Sequence, residues 1–207
     1  MGNLFLPAIV SYLVGSIPFS FLTAKYIGGI DIRNYGSGNT GATNVFRTLG
    51  KKAGAIAFLG DFFKGFIVAI IAKNLFSTDI AVICSILAIF GHCYPIFLGF
   101  KGGKGVATAG GTVFALYPLL GAILLSTVIV IIAITRIVSL ASISAAILFP
   151  ILSFAFETHI YFLYFSIAIG LFVVYRHKSN IGRLITGKES KISFKPKNNS
   201  NTDRIEN

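Results

Sequence analysis

The chain has 207 residues, of which 55% are hydrophobic and only 12% charged, and its mean hydropathy is +0.81. A soluble domain of this size needs a polar shell that this sequence cannot build, so the chain is predicted to be a polytopic membrane protein. Its net charge of +11 is spread unevenly, which points to anionic lipid headgroups or an anionic substrate rather than to nucleic acid.

A spanning helix takes about 20 mostly apolar residues. The first apolar run covers 4–24 and has neither a basic segment nor a small-residue cleavage site before it. It reads as a retained helix, not a signal peptide. Leu6 stands where a myristoylation signal requires Ser or Thr. Further runs cover 53–72, 80–100, 117–135, 137–156 and 160–175. Between the third and fourth lies a shorter apolar piece, 106–116, closed off by Pro118.

Charge decides whether that short piece crosses. With seven crossings and the N-terminus outside, every Lys and Arg falls on the inner side except Lys64, within a helix, and Lys73, outside. With six crossings, Arg136 and the basic C-terminal segment land on opposite sides from the two polar loops or from each other, so the positive-inside rule favours seven. The expectation is an all-α, seven-transmembrane-helix bundle with one short helix. At 1.5 Å per residue that helix spans roughly 17 Å, well short of a core of about 30 Å. The loop before it should therefore dip below the headgroups, beside a cavity or buried by protein. Residues 1–188 are read as a single membrane domain, and 189–207, rich in Asn, Ser and Lys, as a polar, disordered cytoplasmic tail.

The loop after the first helix runs Tyr35-Gly36-Ser37-Gly38-Asn39-Thr40-Gly41-Ala42-Thr43-Asn44. Gly36, Gly38 and Gly41 match GxGxxG, with Asp61 twenty residues on. That fingerprint must follow a strand, and here it follows a membrane helix, so a dinucleotide site is rejected. Its physics survives: glycines let backbone N–H groups approach an anion, and Ser37, Asn39, Thr43, Asn44 and Arg47 crowd the same region. A tight interhelical turn is the alternative. The second loop, Lys101-Gly102-Gly103-Lys104-Gly105, is not a Walker A sequence. It sets two lysines just before a short helix, which suits a phosphate, or marks only the inner side.

Asp61 and Lys64 share a helix face as an ion pair or as site groups. Ser139 and Ser142 begin the sixth helix and serve either the backbone or a site. His92 reads as a satisfied core histidine, and His159 lies on the outer side. His177 and Asn180 stand three apart after the last helix, as part of an interfacial anchor or as site residues. Cys84 and Cys93 read as small buried hydrophobes. There is no GxSxG, no HxxxxD and no metal-ligand cluster, so neither a covalent nucleophile nor a metal or other cofactor is expected.

Six ordered stretches carry a family likeness: 15–26 (GSIPFSFLTAKY), 34–54 (NYGSGNTGATNVFRTLGKKAG), 61–65 (DFFKG), 91–111 (GHCYPIFLGFKGGKGVATAGG), 138–143 (VSLASI) and 175–189 (YRHKSNIGRLITGKE). Together they resemble the bacterial acyl-phosphate:glycerol-3-phosphate acyltransferases, the PlsY family. The resemblance implies transfer of a fatty acyl group from acyl phosphate to the 1-hydroxyl of sn-glycerol 3-phosphate, giving lysophosphatidic acid and phosphate in phospholipid biosynthesis. It implies a seven-helix bundle in the bacterial cytoplasmic membrane with its site on the cytoplasmic side, and no cofactor. The implied partners are the two substrates, membrane lipid and the enzyme that supplies acyl phosphate. By the same resemblance Ser37, Arg47, Lys104, His177 and Asn180 are the catalytic positions. Gly36, Gly38, Asn39, Thr43, Asn44, Gly102, Gly103, Gly105 and Ser142 are substrate-binding. An organophosphate transporter, which also builds anion pockets from broken helices, is the rival reading.

Overall fold

A computed structural model describes residues 4–193, and among them every regular element is helical. The first crossing is broken in two, α1 (Phe5–Ser16) and α2 (Phe19–Gly28). The break was not anticipated, and Pro18 causes it. Proline lacks an N–H and forces the preceding residue out of the helical region, and Ile17 is indeed extended at ψ 116°. The first polar loop then leads into α3 (Ala42–Leu49), a short surface helix.

α4 (Lys51–Leu75) is the central helix and packs against α5 (Thr78–Cys93) and α6 (Val106–Leu116). α7 (Pro118–Thr135), α8 (Val138–Ala155) and α9 (Ile160–Arg176) follow, and α10 (Lys178–Ile185) leaves α9 at a bend of 60°. Five spans are long and apolar enough to cross alone, and the bent pair α9–α10 makes a sixth. α6 is the short seventh.

Contacts along α4 show that α6 crosses. Thr108 Oγ1 donates to the carbonyl of Asp61 at 2.9 Å, and Lys73 Nζ donates to the carbonyl of Leu116 at 3.2 Å. Both helices thus run the same way, which is possible only if α5 comes back between them and α6 goes out again. Glycine makes the approach close. A Cβ at Gly65 would overlap the carbonyl of Thr108, and one at Gly111 the carbonyl of Phe62. Asp61 lies ten residues into α4, or ~15 Å along its axis, so the start of α6 is sunk to that depth, as its length required.

The two ends of the bundle differ. At one end His159 N–H donates to Tyr117 Oη at 3.0 Å, and His159 Nδ1 lies 3.4 Å from Asp79. At the other, the loops at 29–50, 94–105, 136–138 and 177–193 converge. Most of the apolar core, including Phe149, Phe162 and Phe165, lies between them, while α7 turns most of its surface outward.

Candidate active site

The first loop is built around Asn44, which is 2% exposed. Its Nδ2 donates to the carbonyls of Ile32 (3.2 Å), Tyr35 (2.9 Å) and Asn39 (3.0 Å), and its Oδ1 accepts from Ser37 N–H at 3.0 Å. Gly36 and Gly38 take left-handed φ values of +59° and +69°, and a Cβ at Gly36 would strike Asn44 Oδ1. Asn44 therefore holds the loop, and its four side-chain hydrogen bonds all go to backbone. What the loop presents outward is Ser37, which is exposed. Thr43 and Arg47, four apart, share a face of α3.

The second loop folds back on the end of α5. Gly102 N–H donates to Cys93 O at 3.1 Å and Gly103 N–H to His92 O at 3.2 Å. These two amides are therefore occupied by the end of α5. Arg176 Nη2, at the end of α9, grips the other side through Gly103 O at 2.7 Å. Gly105, at φ +87°, turns the chain into α6. Between these fixed points Lys104 is left to reach into the site.

Lys104 Nζ donates to Asn180 Oδ1, and Asn180 Nδ2 donates to Glu189 Oε1 at 2.7 Å. The same carboxylate accepts from Ser139 Oγ at 2.9 Å and Arg183 Nε at 2.6 Å. Arg47 Nη2 reaches the next carbonyl, Ser190 O, at 2.8 Å, while its Nε is buried without a partner. Arg47, Lys104 and Arg183 thus gather around one acid, Glu189, and Arg176 stands near Lys104. Burial opposes ionisation of Glu189, yet bonds from Asn180, Arg183 and Ser139 hold its pKa below the usual carboxylate range. Burial, with the three neighbouring guanidinium groups, outweighs Glu189 and pushes Lys104 down to about 8.

His177 is 3% exposed and its Nδ1 lies 2.8 Å from Val173 O. A carbonyl only accepts, so Nδ1 carries the proton and a neutral ring turns its Nε2 lone pair the other way. Ser142 stands apart from this group: its hydroxyl donates to Val138 O at 2.9 Å and lines an apolar pocket between α4, α6, α7, α8 and α9.

A family model described as glycerol-3-phosphate acyltransferase matches residues 5–187. The glycerol-3-phosphate acyltransferase of Syntrophomonas wolfei is 47% identical over 187 residues, covering 90% of this chain and 96% of that protein. Two crystal structures of the integral membrane glycerol 3-phosphate acyltransferase PlsY (YgiH) superpose closely. Its glycerol 3-phosphate form gives a TM-score of 0.88 at 44% identity over 93% of this chain and 96% of that one. Its lysophosphatidic acid form gives 0.86 at 42% identity over 93% and 97%.

The chain belongs to the glycerol-3-phosphate acyltransferase family.

In the acyltransferase Arg47, Lys104, His177 and Asn180 lie at one end of the bundle, and Ser37 is exposed on the first loop at that end. Glu189 was missed. It had been assigned to the tail, yet it is buried at the centre of the polar network, and Ile192 N–H donates to Arg136 O at 2.8 Å. Residues 189–193 thus pack on the bundle, and the rest of the expected tail, 194–207, lies outside the described residues. The available signal was chemical: an acid amid a strongly basic segment, nine residues after Asn180.

Proposed function

We propose that the acyltransferase uses acyl phosphate as donor and acylates the sn-1 hydroxyl of glycerol 3-phosphate, releasing lysophosphatidic acid and inorganic phosphate. The observation that carries this reading is a juxtaposition. Lys104 stands two residues before Val106, where the wall of an apolar pocket begins, and Ser142 and Val173 of that wall lie within four residues of Ser139 and His177 of the polar network. Phe58, Phe62, Phe114 and Phe149 continue that wall. The donor's phosphate and the acceptor's phosphate then lie among the cations, while the acyl chain lies in the pocket. Solved PlsY structures with glycerol 3-phosphate and with lysophosphatidic acid agree with both ends of the reaction.

The chemistry is attack of the acceptor hydroxyl on the acyl carbonyl carbon, with cleavage of the bond to the phosphate oxygen. Phosphate leaves readily, so positioning and charge neutralisation supply most of the catalysis. Arg47 offers two parallel N–H donors to one phosphate, and Lys104 a mobile point charge. Asn180 accepts from Lys104 through Oδ1 and gives one amide N–H to Glu189, so it positions Lys104 and keeps its second N–H for substrate. His177 Nε2 accepts a hydrogen bond from the substrate hydroxyl and orients it. The hydroxyl proton passes to substrate phosphate, the second base within reach. The basic residues gathered at this end support a site on the cytoplasmic face of a bacterial membrane by the positive-inside rule, the side from which acyl phosphate is supplied in this reading.

The test is turnover by the purified protein in lipid. Acyl phosphate with glycerol 3-phosphate yields 1-acyl lysophosphatidate, and acyl-CoA or acyl carrier protein in its place does not. Equal turnover with acyl-CoA refutes the donor assignment, and vesicle uptake of glycerol 3-phosphate without acylation supports a transporter.

A further inference from the structure

Beneath the site lies a polar cluster that the reaction does not touch. Asp61 on α4 is 1% exposed, and its Oδ1 lies 2.9 Å from Lys64 Nζ and 3.3 Å from His92 Nδ1. Its Oδ2 accepts from Ser20 Oγ at 2.5 Å, and Lys64 also donates to the Ile17 carbonyl, at 2.7 Å, which the break in the first crossing leaves without a helical partner. Burying such a group costs free energy that a leucine would not, unless the geometry it imposes is used. Here the geometry leads to the phosphate loop. The face of the His92 ring opposite Asp61 fills the notch left by Gly103: a Cβ built on Gly103 would collide with His92 Nε2, and one on Gly102 with His92 O. The backbone of His92 holds Gly103 N–H as well. Lys104 is the next residue.

We propose that His92, oriented by Asp61, is a positioning residue for the substrate phosphate: seated in the Gly103 notch, it sets where Lys104 stands relative to Asn180 and the substrate. Arg176 clamps the same peptide from the opposite side, and its guanidinium stacks over Tyr94 at 5.1 Å. The Gly102–Gly103 stretch is thus held between α5 and α9. Misplacement of a binding group by an ångström weakens turnover by as much as a hundredfold, so this seat matters although it meets no substrate.

The inference rests on Lys104 as a phosphate ligand, which Lys104→Ala tests separately. The experiment compares kcat and KM for both substrates at equal amounts of folded protein in lipid for His92→Ala, His92→Gln, Gly103→Ala and Gly103→Ala with His92→Ala. His92→Ala is expected to raise KM for glycerol 3-phosphate or lower kcat on the order of tenfold, and His92→Gln, which still fills the notch and meets Asp61, to recover part of the loss. Gly103→Ala should cost at least about tenfold in the native background and much less beside His92→Ala, because the added methyl then has room. The Gly103→Ala cost is a ratio within each background, so a lower folded yield leaves it readable, and His92→Ser supplies a second open background. Native kcat and KM in His92→Ala, or the same Gly103→Ala factor in every background, overturns the proposal. If Lys104→Ala keeps native kinetics, the phosphate reading itself fails; if Lys104→Ala is impaired and His92→Ala is not, only the positioning role fails.

Discussion

In the reaction proposed above, Lys104 is the residue on which phosphate binding turns. Its ammonium meets Asn180, three guanidinium groups crowd it, and burial pushes its pKa to about 8 from the ordinary 10.5. A lysine with a lowered pKa keeps its charge below that value and loses it above. Attraction for phosphate is therefore full at pH 7 and fades as pH rises through about 8. In kcat/KM, which reports the free enzyme, a loss is expected on the alkaline side that Lys104→Arg moves out of range. Lys104→Ala and Arg47→Ala should each cost about 1.5–3 kcal/mol, roughly 10- to 150-fold in kcat/KM, with the fold retained. His177 is the second test at this scale. His177→Asn and His177→Gln keep a hydrogen-bonding group but take no proton. If His177 orients and substrate phosphate accepts the proton, at least one variant retains measurable kcat at saturating glycerol 3-phosphate. Complete inactivity of both, with normal binding of glycerol 3-phosphate, assigns the base to His177.

Among the elements, the short helix α6 is the one whose placement the site depends on. Its N-terminus lies deep because Gly65 and Gly111 let it approach α4 backbone to backbone. The obstacle to a side chain there is a carbonyl of a packed helix, not the end of a flexible chain. Gly65→Ala is therefore expected to destabilise the protein by about 1–3 kcal/mol, read as a fall in thermal midpoint in detergent. Gly110, whose Cβ would meet only the Phe62 ring at 3.8 Å, supplies the control, because Gly110→Ala should leave the midpoint near native. α10 matters for another reason. Its 60° bend away from α9 turns Asn180 back towards Lys104 and lets the chain return with Glu189 beneath it.

For the whole molecule, one arrangement of crossings accounts for both ends. The parallel run of α4 and α6, the pairing of His159 with Tyr117 and Asp79, and the convergence of four loops at the opposite end require seven crossings. Cysteine introduced at Asn74 or at Lys188 of a Cys-free variant should accordingly label from opposite sides of the membrane. A membrane-impermeant reagent applied to intact cells is expected to reach position 74 and not 188. Labelling of both from outside contradicts seven crossings, and the reverse pattern keeps them but inverts the protein.

The sequence by itself determined the class, the bundle of crossings with one short helix, and the end at which the basic loops gather. Hydropathy and the distribution of Lys and Arg are summed properties that need no tertiary contact to be read, and the short span of α6 already required a sunken loop. The motifs marked Arg47, Lys104, His177 and Asn180 as neighbours although up to 133 positions separate them. Only the tertiary structure decided how each is used. Asn44 carries a polar side chain that suits an anion as well as a turn, and four contacts with its own loop settle it as a brace. The Gly102 and Gly103 amides suit a phosphate cradle, and α5 occupies them instead. Glu189 follows the last apolar run in a polar segment, and pattern gives no means of seeing that the chain turns back. A side chain's partner depends on which distant backbone it meets, and that is fixed by packing among helices rather than by local composition.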